Sequence, residues 1–201
     1  MNYLAHAYLS FEIPEITVGN MISDFVKGKQ KDSYPPKIRQ GIMLHRAIDS
    51  FTDTHSVTRR AKSWFKQDYG GYSAPLTDII YDHFLASDAV IFPAGEGGSS
   101  LKAFAQRTYE RVHASQPVLP ERFARLFHYM RTEDWLSHYR HKELIFASFD
   151  GLTRRAKYMP AADQAKRIFE AHYEDLEACY AEFFPELKDF ALRALEQVQI
   201  E

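Results

Sequence analysis

Apolar residues recur at three- and four-residue spacing along nearly the whole chain, and alternating β-branched runs bounded by turns are almost absent. That pattern commits the backbone to helices and offers little from which to build a sheet. The expected fold is all-α, a single-domain helical bundle. A first helix is expected from Tyr3 to Leu9, and Pro14, favoured in a first helical turn, restarts a second toward Val26. The polar "KGKQK" beginning at Lys27 and the "SYPP" after it read as a loop, followed by a helix from Pro36 to about Phe51. Ser56 is the expected cap of the next helix, toward Phe65. "YGGYSAP" breaks the chain before Pro75 opens a helix containing "LTDIIYDHFLASD". "FPAGEGGSS", from Phe92 to Ser100, reads as a flexible loop. Beyond it, helices are expected at Leu101–Ala114, Glu121–Met130 and His141–Tyr158. One long helix should then run from Ala161 toward Leu195, with Pro185 as its point of bending.

At 201 residues the chain fits one domain spanning 1–201, with a core of ordinary size. A net charge of −2 gives no global attraction for nucleic acid or an anionic membrane surface, so neither is expected as a partner. Charged or polar residues interrupt every hydrophobic stretch before the ~20 residues a bilayer span needs. One cysteine, Cys179, and no signal peptide over Met1–Ser10 fit a reducing compartment, and the cytoplasm is the expectation. Composition leaves oligomeric state open.

Three strings place acids or histidines inside apolar helices: "GNMISDF" ending at Phe25, "GIMLHRAID" ending at Asp49, and "YDHFL" from Tyr81. His45 and Asp49 are four apart and so share a helical face. Asp82 and His83 are flanked by Ile79, Ile80, Phe84 and Leu85, which should hold their helix in the core. A lone carboxylate there is costly. A divalent cation would compensate the charge and use the lone pairs, and mixed His and Asp donors suit Mn²⁺, Fe²⁺ or Zn²⁺. The bland alternatives are core histidines satisfied by hydrogen bonds, Asp49 paired with Arg46 or Arg60, and Asp24 facing solvent. His6 and Asp53 are weaker candidates, because each is expected near a helix end within reach of water. No phosphate-binding or dinucleotide glycine pattern, nucleophile elbow or HExxH helix is present.

The series "MNYLAHAYLS", "GNMISDFVKG", "YPP" before "GIMLHRAIDSFTD", "DHFLA" and "WLSHYR", in that order, resembles the acyl carrier protein phosphodiesterases. These are bacterial hydrolases that remove the phosphopantetheine arm from holo acyl carrier protein. The resemblance implies an HD-domain-like bundle with permuted helix order, Mn²⁺ as cofactor, and holo acyl carrier protein as partner and substrate. It further implies a metal held by Asp24, His45, Asp82 and His83, although the dyad is written Asp-His here where HD domains have His-Asp. His6 or Arg46 would stabilise the phosphate or protonate the leaving alkoxide. Asp49 would orient His45 or a neighbouring ligand. Because the carrier is acidic, Lys27 and Lys29, with Arg59 and Arg60, are the candidate docking cations. Two rivals are an HD-type hydrolase of nucleotides or small phosphoesters, and a helical module that grips the carrier without cleaving it.

Overall fold

The periodicity is realised as eleven α-helices among the described residues, which in this computed structural model are 1–95 and 98–198. In chain order they are α1 (Tyr3–Tyr8), α2 (Pro14–Ile22), α3 (Pro36–Thr54), α4 (Ser56–Tyr69), α5 (Ser73–Ser87) and α6 (Ser100–Ala114). They continue as α7 (Glu121–Thr132), α8 (Trp135–His138), α9 (Lys142–Arg155), α10 (Ala162–Ala171) and α11 (Tyr173–Val198). Pro14 and Pro36 open their helices, where the missing N–H costs nothing.

Several boundaries differ from expectation for local reasons. α2 ends at Ile22 and tightens into a 3-10 turn, Ser23–Phe25, and the lysine-rich segment is itself a 3-10 turn, Gly28–Ser33. The cap of α4 is His55, whose ring accepts from the Val57 amide at 3.3 Å, so Ser56 is the first helical residue. α5 begins at Ser73, two residues before Pro75. The Phe92–Ser100 segment pairs in part as a short antiparallel ladder, β1 (Ala94–Gly95) with β2 (Gly98–Ser99); residues 96 and 97 lie outside the described residues. α8 was not anticipated from the sequence. The expected long C-terminal helix is two: the chain breaks at His172, and Pro185 lies inside α11. There the flanking Phe183, Phe184 and Leu187 are all buried, and their packing carries the helix past the hydrogen bond that proline removes.

One core runs through the bundle, from Leu4 and Ile22 at one end of the sequence to Phe183 and Leu187 at the other. Its closest helix pair is α2 against α3. A Cβ on Gly19 would come within 2.0 Å of the Ile38 carbonyl oxygen, and one on Gly41 within 2.3 Å of that of Ile16. The two glycines therefore let backbone meet backbone, and this approach sets Asn20 against His45. No helix among the described residues is long and apolar enough to cross a membrane.

Candidate active site

Gly41, His45 and Asp49 repeat at four-residue intervals, so the face of α3 that presses on α2 at Gly41 carries the imidazole and the carboxylate into the same junction. α1 packs there as well and brings His6, which is 2% exposed. The His6 and His45 rings stack with centroids 3.9 Å apart and planes inclined by 15°. Leu4, Ala5, His6 and Ala7 of α1 are all buried, so its histidine sits inside the core and not at a solvated end as the sequence suggested.

Asn20 fixes the tautomer of both rings. Its side-chain nitrogen donates to the His6 carbonyl at 2.9 Å and to Ser10 Oγ at 3.1 Å, which leaves its Oδ1 to accept from His6 Nδ1 at 2.8 Å. Its backbone carbonyl accepts from His45 Nδ1, also at 2.8 Å. With both Nδ1 atoms donating, each neutral ring presents a lone pair at Nε2. Both lone pairs meet acids: His6 Nε2 lies 3.2 Å from Asp49 Oδ1, and His45 Nε2 lies 3.1 Å from Asp49 Oδ2 and 3.2 Å from Asp24 Oδ1. His6 Nε2, although close to Asp49, is outside hydrogen-bond geometry and is a buried nitrogen without a hydrogen-bond partner among the described residues. Imidazole nitrogens oriented by carbonyl acceptors and aimed at a shared carboxylate are the chemistry of metal ligation. The candidate ligand atoms of His6, His45 and Asp49 all lie within 4.8 Å of one another. This trio can hold a metal ion.

Protonation obeys the same geometry. Burial works against a charge on His45, but Asp24 and Asp49 outweigh it and hold the ring up at about 9. Burial, and then the neighbouring His45, push His6 down to about 4. Asp49 is held far below the usual carboxylate range: burial opposes its charge, but the two imidazoles prevail. Asp24 is lowered chiefly by its contact with His45. A proton on His45 Nε2 and a divalent ion would occupy the same place. Asp24 is the open member, its side chain 67% exposed, and it faces a cavity. The same cavity is lined by Asp78, which with Asp49 flanks the Met1 ammonium at 3.1 and 3.3 Å.

Asp82 and His83 lie outside this cluster with their polar atoms committed elsewhere. Both Asp82 oxygens accept backbone amides at the start of α1, from Leu4 at 2.7 Å and Ala5 at 3.0 Å, satisfying two of the donors that a helix leaves unpaired. His83 Nδ1 donates to the Tyr139 carbonyl at 2.8 Å, and its Nε2 accepts from the Tyr173 hydroxyl at 2.9 Å. Asp82 thus anchors the helix that carries His6, and His83 ties α5 to Tyr139 and α11. Arg46 donates to the Val26 carbonyl at 2.9 Å and does not pair with Asp49, whereas Asp53 pairs with Lys62 at 2.6 Å. Of the docking candidates, Arg60 is paired with Glu182, while Lys27, Lys29 and Arg59 are exposed with no ion pair among the described residues. Asn20 lies in one of the three strings, but asparagine carries no charge and the sequence alone does not single it out.

Replacing Asp82 with asparagine leaves one amide of α1 facing a donor, and the expected loss is about 1–3 kcal/mol. Burial, partly opposed by the two amides, raises the Asp82 carboxyl to about 7. The folded state therefore binds the extra proton between about pH 4 and pH 7, and this group's contribution to stability is full below that window and falls as pH rises through it. Thermal melts across that range should show the native chain losing stability relative to the Asp82→Asn chain as pH rises from about 4 to 7.

The sequence model for acyl carrier protein phosphodiesterase matches residues 1–187. The chain belongs to this family. A relative from Escherichia coli named acyl carrier protein phosphodiesterase is 32% identical over 197 residues, covering 96% of this chain and 98% of its own length. One from Yersinia pestis with the same name is 33% identical over 187 residues, covering 92% and 94%. No solved structure matches. The acyl carrier protein phosphodiesterase match takes in every residue of the acid–imidazole cluster.

Proposed function

We propose that this chain is a metal-dependent phosphodiesterase that hydrolyses the bond between the carrier-protein serine and the 4′-phosphopantetheine arm, giving apo carrier protein and 4′-phosphopantetheine. The observation that carries this reading is the convergence of two oriented Nε2 lone pairs on Asp49, with Asp24 beside them at the end of a cavity, in a chain of this family. His6, His45 and Asp49 hold the ion in this proposal, with Mn²⁺ favoured by family membership. Once bound, the divalent ion supplies Lewis acidity, lowering the pKa of a water and neutralising charge on phosphoryl oxygens.

The chain's own groups do the rest. Asn20 holds both rings in one tautomer. Asp24, ionised and open to the cavity, accepts the proton of the attacking water as the new bond to phosphorus forms. The bond from phosphorus to the serine oxygen breaks, and Asp24 returns the proton to that oxygen. Asp82 and His83 act by position, holding α1 and Tyr139. Lys27, Lys29 and Arg59 are the docking cations this reading retains for the acidic carrier. The chain is read as one domain, HD-like with permuted helix order, acting in the cytoplasm.

Mass spectrometry of holo carrier protein, incubated with the chain and Mn²⁺, should show the mass of the apo form, and EDTA should abolish the change. Consumption of a nucleotide from a parallel panel, with the holo carrier left intact, would overturn the assignment.

A further inference from the structure

The cavity that Asp24 enters has a volume of about 530 Å³, within the range of sites that enclose a small molecule. One wall is a single face of α9. Leu144, Ala147, Ser148, Gly151, Leu152 and Arg155 all line it, at alternating intervals of three and one, so the cavity follows the helix from one end nearly to the other. At the helical rise that stretch is about 16 Å long.

The wall is kept open without any packing reason. A Cβ on Gly151 would meet only the Arg154 guanidinium, at 3.6 Å, so glycine is not required there by its neighbours, and it weakens the helix. Gly19 and Gly41 are the opposite case, each closed in by backbone. Ser148 Oγ makes no hydrogen bond among the described residues. Across the cavity, Ile79 and Trp135 add apolar surface, and Asn2 and Tyr139 add polar groups. Tyr3, Asp24 and Arg155 line the cavity together, and the Tyr3 phenol feels the charge of both, so an arginine shares the cavity with the open member of the acid–imidazole cluster. Arg155 uses Nε on the Gly151 carbonyl at 3.2 Å; neither its terminal nitrogens nor the Arg154 guanidinium has a partner among the described residues.

We infer that this cavity seats the pantetheine arm, with the phosphodiester at the Asp24–Arg155 end, the arm extended along α9 toward Leu144, and Ala147, Ser148 and Gly151 as the residues that admit it. The inference rests on the phosphodiesterase reading above and names the part of the substrate that the fold recognises. The arm is a thin chain of about a dozen bonds, mostly apolar with two amides. At the advance of an extended backbone, roughly 3.5 Å per three bonds, it reaches about 14 Å, close to the length of the α9 wall. A nucleotide is shorter and broader, and would leave the Leu144 end empty.

The test is binding, read by calorimetry on the full chain with EDTA present. 4′-Phosphopantetheine and inorganic phosphate are titrated separately into the native chain, Ser148→Leu and Gly151→Leu. Either variant fills the wall while favouring the helix, and the second serves if the first does not fold. The expected result is that phosphopantetheine affinity falls roughly tenfold or more in the filled variant while phosphate affinity stays within twofold. Equal phosphopantetheine affinity in native and filled chains would overturn the inference, as would no binding to the native chain or an equal loss for both ligands. Native cleavage of holo carrier protein is followed in parallel. If the carrier is cleaved but binding ignores the filled wall, the cavity assignment alone falls; if binding responds but the carrier is untouched, it is the reaction that falls.

Discussion

Replacing His45 with alanine should lower metal-dependent turnover of holo carrier protein by ~10³-fold or more, a loss of ~4 kcal/mol in transition-state stabilisation. Far-UV circular dichroism should not change. His45 Nε2 is the atom that meets both Asp24 and Asp49, at 3.2 and 3.1 Å, so its removal takes away one oriented nitrogen and a contact that lowers both carboxylates. Asp49→Ala should be as severe, because Asp49 is the carboxylate that, among the described residues, pairs with both imidazoles. Asn20→Ala should be milder, about 10–100-fold, since the ligands remain and only their orientation is lost. Metal content of the purified chains supplies a second readout. It should fall in the His45 and Asp49 variants and fall less in the Asn20 variant. Native turnover and native metal content in His45→Ala would remove the basis for this site.

What the sequence discloses and what it hides follow from how far apart the interacting residues lie. The His45–Asp49 pair is legible because both members sit on one helix, where spacing alone sets their direction. That Asp24 meets His45 is a contact between α2's trailing turn and α3, suggested by apolar context but settled only by the glycine-mediated approach of the two helices. Asp82 and His83 show the limit. A buried acid beside a buried histidine has the same local pattern whether its partner is an ion or the amides of a distant helix. Here the partners of Asp82 are 77 and 78 residues away, at Ala5 and Leu4. His6 was undervalued for a related reason. Proximity to a helix end implies solvent only when the helix end is at the surface, and α1 is covered along its length, with Leu4, Ala5, His6 and Ala7 all buried. The all-helical class needed none of these contacts, because it rests on periodicity within segments. The misplaced break near α10 and α11 shows where periodicity fails: the apolar pattern runs through His172, while burial on both sides of Pro185 keeps that helix whole.

Gly19→Ala should cost about 3–5 kcal/mol, well above the ordinary cost of an added methyl, because the obstacle is backbone on a neighbouring helix. The new Cβ would stand 2.0 Å from the Ile38 carbonyl oxygen and 2.9 Å from the Gly41 Cα, and neither can rotate away. Alanine's better helix propensity returns at most about 1 kcal/mol. Helices α2 and α3 must part, and at about 2–4 °C per kcal/mol for a chain of this size the midpoint of thermal unfolding should drop by roughly 6–20 °C. Gly41→Ala, 2.3 Å from the Ile16 carbonyl and 2.9 Å from the Asn20 amide, should behave alike. Gly151→Ala is the internal control: the same substitution meets only a guanidinium at 3.6 Å, and it should leave the midpoint unchanged or raise it slightly. The two sites also separate stability from chemistry. Parting α2 from α3 moves Asn20 away from His45, so Gly19→Ala should lose turnover even at temperatures where it remains folded. A Gly19→Ala chain with native melting and native turnover would show that the interhelical approach is not what sets the His45 tautomer.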